Sequence, residues 1–314
     1  MYSIIGVGVN LKMNYTKLLK LPLAELLSQA NQIRQKHIGT KLELCNIINA
    51  KSGHCGENCK FCAQSSHYHA DISTYALKSS AEIIKAAQRA KDIGSQKFGI
   101  VTSGNRLTAK ELKEIAFAIA QIKQRVGIVV CVSSGALNKE ELKMLKKAGL
   151  SCYHHNVETS RRFYSEIVST HKFDERVNTV KAAKSMGLLV CSGGIIGMGE
   201  NWQDRIDMAL ILKELDVDSV PINMLVPIKG TPLESNKTIS REDAIRTICI
   251  FRIILKDKII KIAAGREAVL GDSQRLGFMA GANGMLIGGY LTVKGAELQK
   301  DYELIKQIKK IWQE

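Results

Sequence analysis

Short apolar, β-branched runs recur along the chain at 42–48, 97–102, 127–132, 149–156, 188–192, 219–224, 259–263 and 284–287. Amphipathic stretches of about 12 to 18 residues separate them, among them 80–93, 109–126, 139–147, 173–186, 203–215 and 241–255. A continuous apolar run suits a strand buried on both faces, and an intervening amphipathic helix is the usual crossover between parallel strands. Helix-start signals support the alternation: Ser79 and Ser80 precede Glu82, and Ser240 precedes Glu242 and Asp243. Eight such units predict a closed (β/α)8 barrel of the TIM type rather than an open doubly wound sheet. The barrel is expected over residues 41–314, with residues 1–40 as an N-terminal helical extension.

In such a barrel the chemistry lies in the loops after the strands, and the distinctive residues fall there. Cys55, Cys59 and Cys62 follow the first strand in Ser-Gly-His-Cys-Gly-Glu-Asn-Cys-Lys-Phe-Cys. The spacing C-x-x-x-C-x-x-C leaves a cubane iron-sulfur cluster one ligand short of closure, because such a cluster normally takes four thiolates. The open corner suits a substrate or cofactor. A zinc knuckle completed by His54, His67 or His69 is the alternative.

The fourth strand ends Cys152-Tyr153-His154-His155-Asn156-Val157-Glu158. Its period of two puts Cys152, His154, Asn156 and Glu158 on one face, expected to point inward. The stretch Gly193-Gly194-Ile195-Ile196-Gly197-Met198-Gly199-Glu200 follows the fifth strand, where glycines permit close backbone approach to a ligand. Cys131 lies on the third strand, Cys191 on the fifth and Asn223 on the sixth.

Composition narrows the classes. Charged residues at 24% and hydrophobic residues at 45% are those of an ordinary soluble globular protein, with no run of about 18 apolar residues to span a bilayer. The first ten residues lack the basic start and small-residue cleavage site of a signal peptide, so a cytoplasmic location is expected. Eight cysteines, three of them bunched, fit metal ligation in a reducing compartment better than a disulfide framework. The net charge of +15 is spread over lysine-rich stretches at 110–123, 139–147 and 300–310 without aromatic interleaving. That distribution argues for a solvated surface attractive to an acidic reductant rather than a nucleic-acid reader.

The cysteine triplet with Phe61 before its last member resembles the signature of the radical S-adenosylmethionine enzymes. Gly193, Ile195, Gly197 and Glu200 match the G-x-I-x-G-x-x-E pattern that contacts the adenosyl group in that superfamily. The resemblance narrows to the biotin synthase family through Lys51-Ser52-Gly53, Ala63-Gln64-Ser65-Ser66, His155 to Ser160, Val190 to Ile195, Val220 to Leu225, Gly230 to Leu233 and Ala264 to Glu267.

It implies a 4Fe-4S cluster on the triplet, S-adenosylmethionine on the open corner, and sulfur insertion into dethiobiotin from a second iron-sulfur cluster. It also implies ribose contacts from Asn156 and Glu158, cofactor contacts from Thr102 and Val226, a ureido-ring contact from Asn223, a flavodoxin or ferredoxin reductant, and a homodimer. The family's second cluster uses three strand cysteines and an arginine; Cys131, Cys191 and Arg266 match three of these positions. Gly99 stands at the fourth. Cys152 is therefore expected to complete a relocated set with Cys131 and Cys191, Arg266 lying beside it. His154 stands where the family usually has an asparagine near the substrate. Cys45 and Cys249 read as core thiols. Insertion of sulfur into octanoyl groups is a close competitor; a non-catalytic iron-sulfur or zinc-binding module is a distant one.

Overall fold

A computed structural model describes residues 15–290 and 297–313. The first ten residues, where a signal peptide was sought, lie outside the described residues. Nine parallel strands are present among the described residues: β1 Glu43–Lys51, β2 Lys97–Thr102, β3 Val129–Ser133, β4 Cys152–His154, β5 Leu189–Cys191, β6 Gly194–Ile196, β7 Ser219–Met224, β8 Ile259–Ile262 and β9 Gly284–Leu286. Pairing runs from β5 through β4, β3, β2, β1, β9, β8 and β7, and β7 returns to both β5 and β6. The ring is closed, an eight-stranded barrel whose fifth stave is broken into β5 and β6.

The break corrects one expectation. Residues 194–196, anticipated as loop, form a strand on β7, and the glycines there serve packing. A Cβ on Gly193 would lie 2.0 Å from the Pro221 carbonyl oxygen, and one on Gly194 would lie 2.2 Å from that of Glu158.

Eleven helices clothe the barrel among the described residues: α1 Leu23–Ile38, α2 Ser80–Asp92, α3 Ala109–Arg125, α4 Lys139–Ala148, α5 Arg161–Ile167, α6 Phe173–Ser185, α7 Trp202–Glu214, α8 Arg241–Leu255, α9 Arg266–Leu270, α10 Gln274–Met279 and α11 Leu298–Gln313. Capping boxes start α2 (Ser79 with Glu82), α3 (Thr108 with Glu111), α4 (Asn138 with Glu141) and α7 (Asn201 with Asp204). Each satisfies otherwise orphaned N–H groups at the helix start, a contribution of about 1 kcal/mol per cap.

Helix α8 is buried on every side from Thr247 to Leu255 because α1 covers its outer face. Arg246 ties the approach to α1 by donating to the Leu21 carbonyl at 2.8 Å. No helix among the described residues is long and apolar enough to cross a membrane.

Strand parity decides what enters the barrel. On β2, Phe98 and Ile100 are buried against the helices, whereas Lys97, Gly99 and Val101 face the central cavity. On β8, Ile260 and Ile262 pack outward and Lys261 faces in. The register Ile47, Gly99, Cys131, Cys152 runs across β1 to β4, and His154, Cys191, Ser219 runs across β4, β5 and β7.

Candidate active site

A cavity of about 430 Å³ opens at the C-terminal ends of the strands and reaches to the barrel floor. Cys55, Cys59, Cys62 and Phe61 line its mouth, and Cys45, Cys131, Cys191 and Lys261 line its depth.

The mouth loop is fixed through its backbone. Cys55 N donates to Gln64 O at 3.0 Å, Cys62 N to Cys59 O at 2.9 Å, and Ser66 N and Oγ both donate to Cys55 O. Gly53 has φ +77, and a Cβ there would sit 2.4 Å from Thr74, so the turn into the loop needs glycine. Burial, and then Cys62 beside it, pushes the Cys59 thiol up; burial pushes Cys62 up to about 11. Thiols this crowded ionise together only against a compensating cation, as iron supplies.

No three His, Cys, Asp or Glu side chains among the described residues converge as they would on one metal ion. A cubane binds each thiolate to its own iron, so a cluster cradle is wider than a single-ion site, and the zinc-knuckle alternative finds no support. His67 Nε2 donates to Gly56 O at 3.0 Å at the loop's edge.

Between mouth and floor the cavity wall is polar on one side. Glu158, at φ +69, accepts from Arg176 at 2.7 Å and from Asn156 Nδ2 at 3.3 Å. Arg176 also donates to Asn156 O at 2.6 Å, and Asn156 Oδ1 accepts from Gly193 N at 3.1 Å. Asn223 bridges two staves, donating to Gly194 O and accepting from Ala264 N, each at 3.2 Å. His154, Asn223, Ile195, Val226 and Thr102 all line the cavity, and the Thr102 hydroxyl is buried without a protein partner.

The glycine pattern divides its labour. Ile195 reaches the cavity, whereas Gly193, Gly197 and Glu200 stand behind it. The Glu200 carboxylate accepts from Gly197 N and Met198 N, each at 2.8 Å, and from Arg205 at 2.7 Å, and so clamps the turn.

The floor departs further from expectation. Arg266 follows Gly265, whose φ of +83 turns the chain out of β8; it does not line the cavity, and its guanidinium is taken up by residues of α10 and α11. It donates to Tyr290 Oη at 2.8 Å and to Gln274 and Asp301. The basic group inside is Lys261, 3.2 Å from Cys45 Sγ and 2.8 Å from Glu43 Oε1, while Lys97 holds the other Glu43 oxygen at 2.9 Å.

Cys45, expected to be a core thiol, therefore shares the floor with Cys131 and Cys191. Cys152 stands between the strands of those two and hydrogen-bonds Cys131, a contact that with burial pushes the Cys131 thiol well up. Burial raises Cys45 to about 11 in spite of Lys261. Burial opposes ionisation of Cys191 too, but Lys261 and His154, with Ser219 Oγ donating at 3.1 Å, bring it down to about 6. Cys45, Cys131 and Cys191 thus line the floor with Lys97 and Lys261, and Cys152 lies on the neighbouring strand beside Cys131.

Cys45, Lys261 and Arg176 are site residues that the motifs did not mark. A single lysine within Ile-Ile-Lys-Ile was the available signal for Lys261, since a charge inside an apolar strand must find a partner.

Comparison with known proteins agrees with the two-ended cavity. Residues 51–212 match the Radical SAM superfamily, and residues 221–309 match the Biotin and Thiamin Synthesis associated domain. In fold the chain is similar to methylornithine synthase, with a TM-score of 0.79 at 22% identity covering 96% of this chain and 91% of that one. It is 44% identical to the biotin synthase of Carboxydothermus hydrogenoformans over 95% of this chain and 94% of that protein. It is 48% identical to the biotin synthase of Thermotoga petrophila over 95% of this chain and 99% of that protein. Similarity of this extent, carried through both matched regions and the cysteine-lined barrel, places the chain in the biotin synthase family.

Proposed function

We infer that the chain converts dethiobiotin to biotin by radical sulfur insertion. The observation that carries this reading is the single cavity with thiols at both ends and a polar wall between them. Cys55, Cys59 and Cys62 would hold a 4Fe-4S cluster with S-adenosylmethionine on its open corner, a pair that supplies a carbon radical strong enough to take hydrogen from an unactivated C–H bond.

Arg176 would meet the cofactor's carboxylate, since it is the cation on the polar wall. Glu158, held by Arg176 and Asn156, would accept from ribose hydroxyls. Ile195 and Val226 would lie against adenine, and Thr102 Oγ1 would find in the cofactor the partner the protein does not give it. Asn223 and His154 would orient the substrate between the two ends; a neutral imidazole offers a donor and an acceptor, as the asparagine usual in this family does. Cys45, Cys131, Cys152 and Cys191 would hold the sulfur-donating second cluster, with Lys261 balancing its charge. An acidic flavodoxin or ferredoxin suits the net charge of +15. A homodimer follows from the family, and a cytoplasmic location from eight unpaired cysteines.

The test is anaerobic. The protein is reconstituted, its iron and sulfide counted, and S-adenosylmethionine, reductant and dethiobiotin added while 5'-deoxyadenosine and biotin are followed. Both products are expected, with more iron than one cubane holds. Deoxyadenosine without biotin would keep the radical chemistry and discard the substrate, in favour of another such as an octanoyl group.

A further inference from the structure

The segment after α5 is stitched to the mouth loop. Asn58 Oδ1 accepts from Ser169 N at 3.0 Å and Thr170 N at 3.2 Å, Asn58 N donates to Thr170 Oγ1 at 3.1 Å, and Lys60 N donates to Ile167 O at 3.0 Å. These bonds deliver His171, which is buried, with its Nε2 3.6 Å from Cys59 Sγ and 3.8 Å from Glu57 Oε2. Its other nitrogen, Nδ1, is 2.6 Å from the Tyr164 hydroxyl.

Two acceptors face Nε2 when Cys59 is a thiolate, since Glu57 Oε2, 3.8 Å away, is buried with no hydrogen-bond partner of its own. The proton therefore belongs on Nε2, and Tyr164 Oη–H donates to Nδ1 and holds that tautomer. The ring is locked besides, since Tyr164 packs edge-on against Phe173 at 5.5 Å between centroids. Nothing in this arrangement depends on the imidazole taking a second proton.

We propose that His171 is a positioning residue that donates a hydrogen bond from Nε2 to the Cys59 thiolate and so sets the reduction potential of the mouth cluster, with Tyr164 fixing its tautomer. The proposal rests on the reading of Cys59 as a cluster ligand. A hydrogen bond to a ligand sulfur draws electron density from the cluster and favours its reduced form. Five residues on, Arg176 reaches the Glu158 carboxylate, so one short segment touches both the cluster loop and the wall assigned to the nucleoside.

The experiment is an EPR-monitored redox titration of the anaerobically reconstituted full chain, with iron and sulfide counted in every sample. His171→Phe is expected to keep its iron while the midpoint moves to more negative potential and the fraction reduced at a fixed potential falls several-fold. His171→Gln, which restores an N–H donor, is expected to recover part of the shift, and Tyr164→Phe to give a smaller one. An unchanged midpoint and unchanged EPR spectrum in an iron-replete His171→Phe protein would overturn the proposal. Should that variant not fold, pulsed EPR of the reduced wild type decides: a histidine N–H coupling that vanishes in D2O supports the bond, and its absence refutes it. A wild-type protein that takes up no four-iron cluster would instead remove the underlying reading, and the proposal with it.

Discussion

Lys261 donates from Nζ to Cys45 Sγ at 3.2 Å and to Glu43 Oε1 at 2.8 Å, fixing a cation between a thiol and a carboxylate at the buried base of the barrel. Breaking a buried pair by removing one partner costs about 3–5 kcal/mol, because the other charge stays behind. Lys261→Met is expected to lower stability by that order in anaerobic denaturant unfolding, and Lys261→Arg to lower it much less. A midpoint unchanged in Lys261→Met would show that Glu43 is adequately held by Lys97 alone.

The floor thiols make a paired prediction. Cys45→Ala and Cys152→Ala are each expected to lose the iron and sulfide in excess of one cubane while still cleaving S-adenosylmethionine. Gly99 faces the same space one strand from Cys131, and a Cβ there would be tight only against Ile47 Cγ2, at 3.0 Å, which a side-chain adjustment can relieve, with Asn46 O and Ile47 Cβ at an ordinary 3.8 Å. Gly99→Cys is therefore expected to restore second-cluster iron in the Cys152→Ala background. Retention of full iron and sulfide in Cys152→Ala alone would remove that cysteine from the ligand set.

Arg266 makes the contrasting case. Its ion pair with Asp301 is buried, so Arg266→Met is expected to destabilise the protein by about 3–5 kcal/mol. Because Arg266 does not line the cavity, the iron content per folded chain should match the wild type. Selective loss of the second cluster from folded Arg266→Met would instead put the arginine among the cluster's ligands.

Asp204 provides a pH dependence away from the cavity. Burial raises its pKa, but Ser160 Oγ at 2.7 Å, Arg162 and the Asn201 backbone outweigh burial and lower it. A lowered folded pKa stabilises the fold above the unfolded value of about 3.9, and the gain is lost as pH falls through the folded one. Asp204→Asn is expected to cost about 1–3 kcal/mol at neutral pH and to flatten the stability curve on the acid side of about pH 4. Parallel unfolding curves for the two proteins down to about pH 2 would contradict this.

The staves and their order were readable because β-branched runs between capped helices leave few other folds. The strand period likewise brings Cys131 and Cys191 to the cavity, with Cys152 paired in register with Cys131. The basic residue was misplaced because Ala-Gly-Arg-Glu is a conspicuous motif, whereas parity, with Ile260 and Ile262 turned outward, is what brings Lys261 inside. Cys45 obeys the same parity but carries no motif. Arg176 and His171 enter from a helix and a loop, where no strand period applies, and only the folded path of residues 167–176 brings them to Glu158 and Cys59.

The salt-bridged base formed by Lys97, Glu43 and Lys261 imposes a traffic rule. The cavity opens at the other end, beside Cys55, Cys59 and Cys62, and the lower thiols lie at the far end of it. Whatever binds at the lower thiols would be reached from that opening past whatever occupies the mouth.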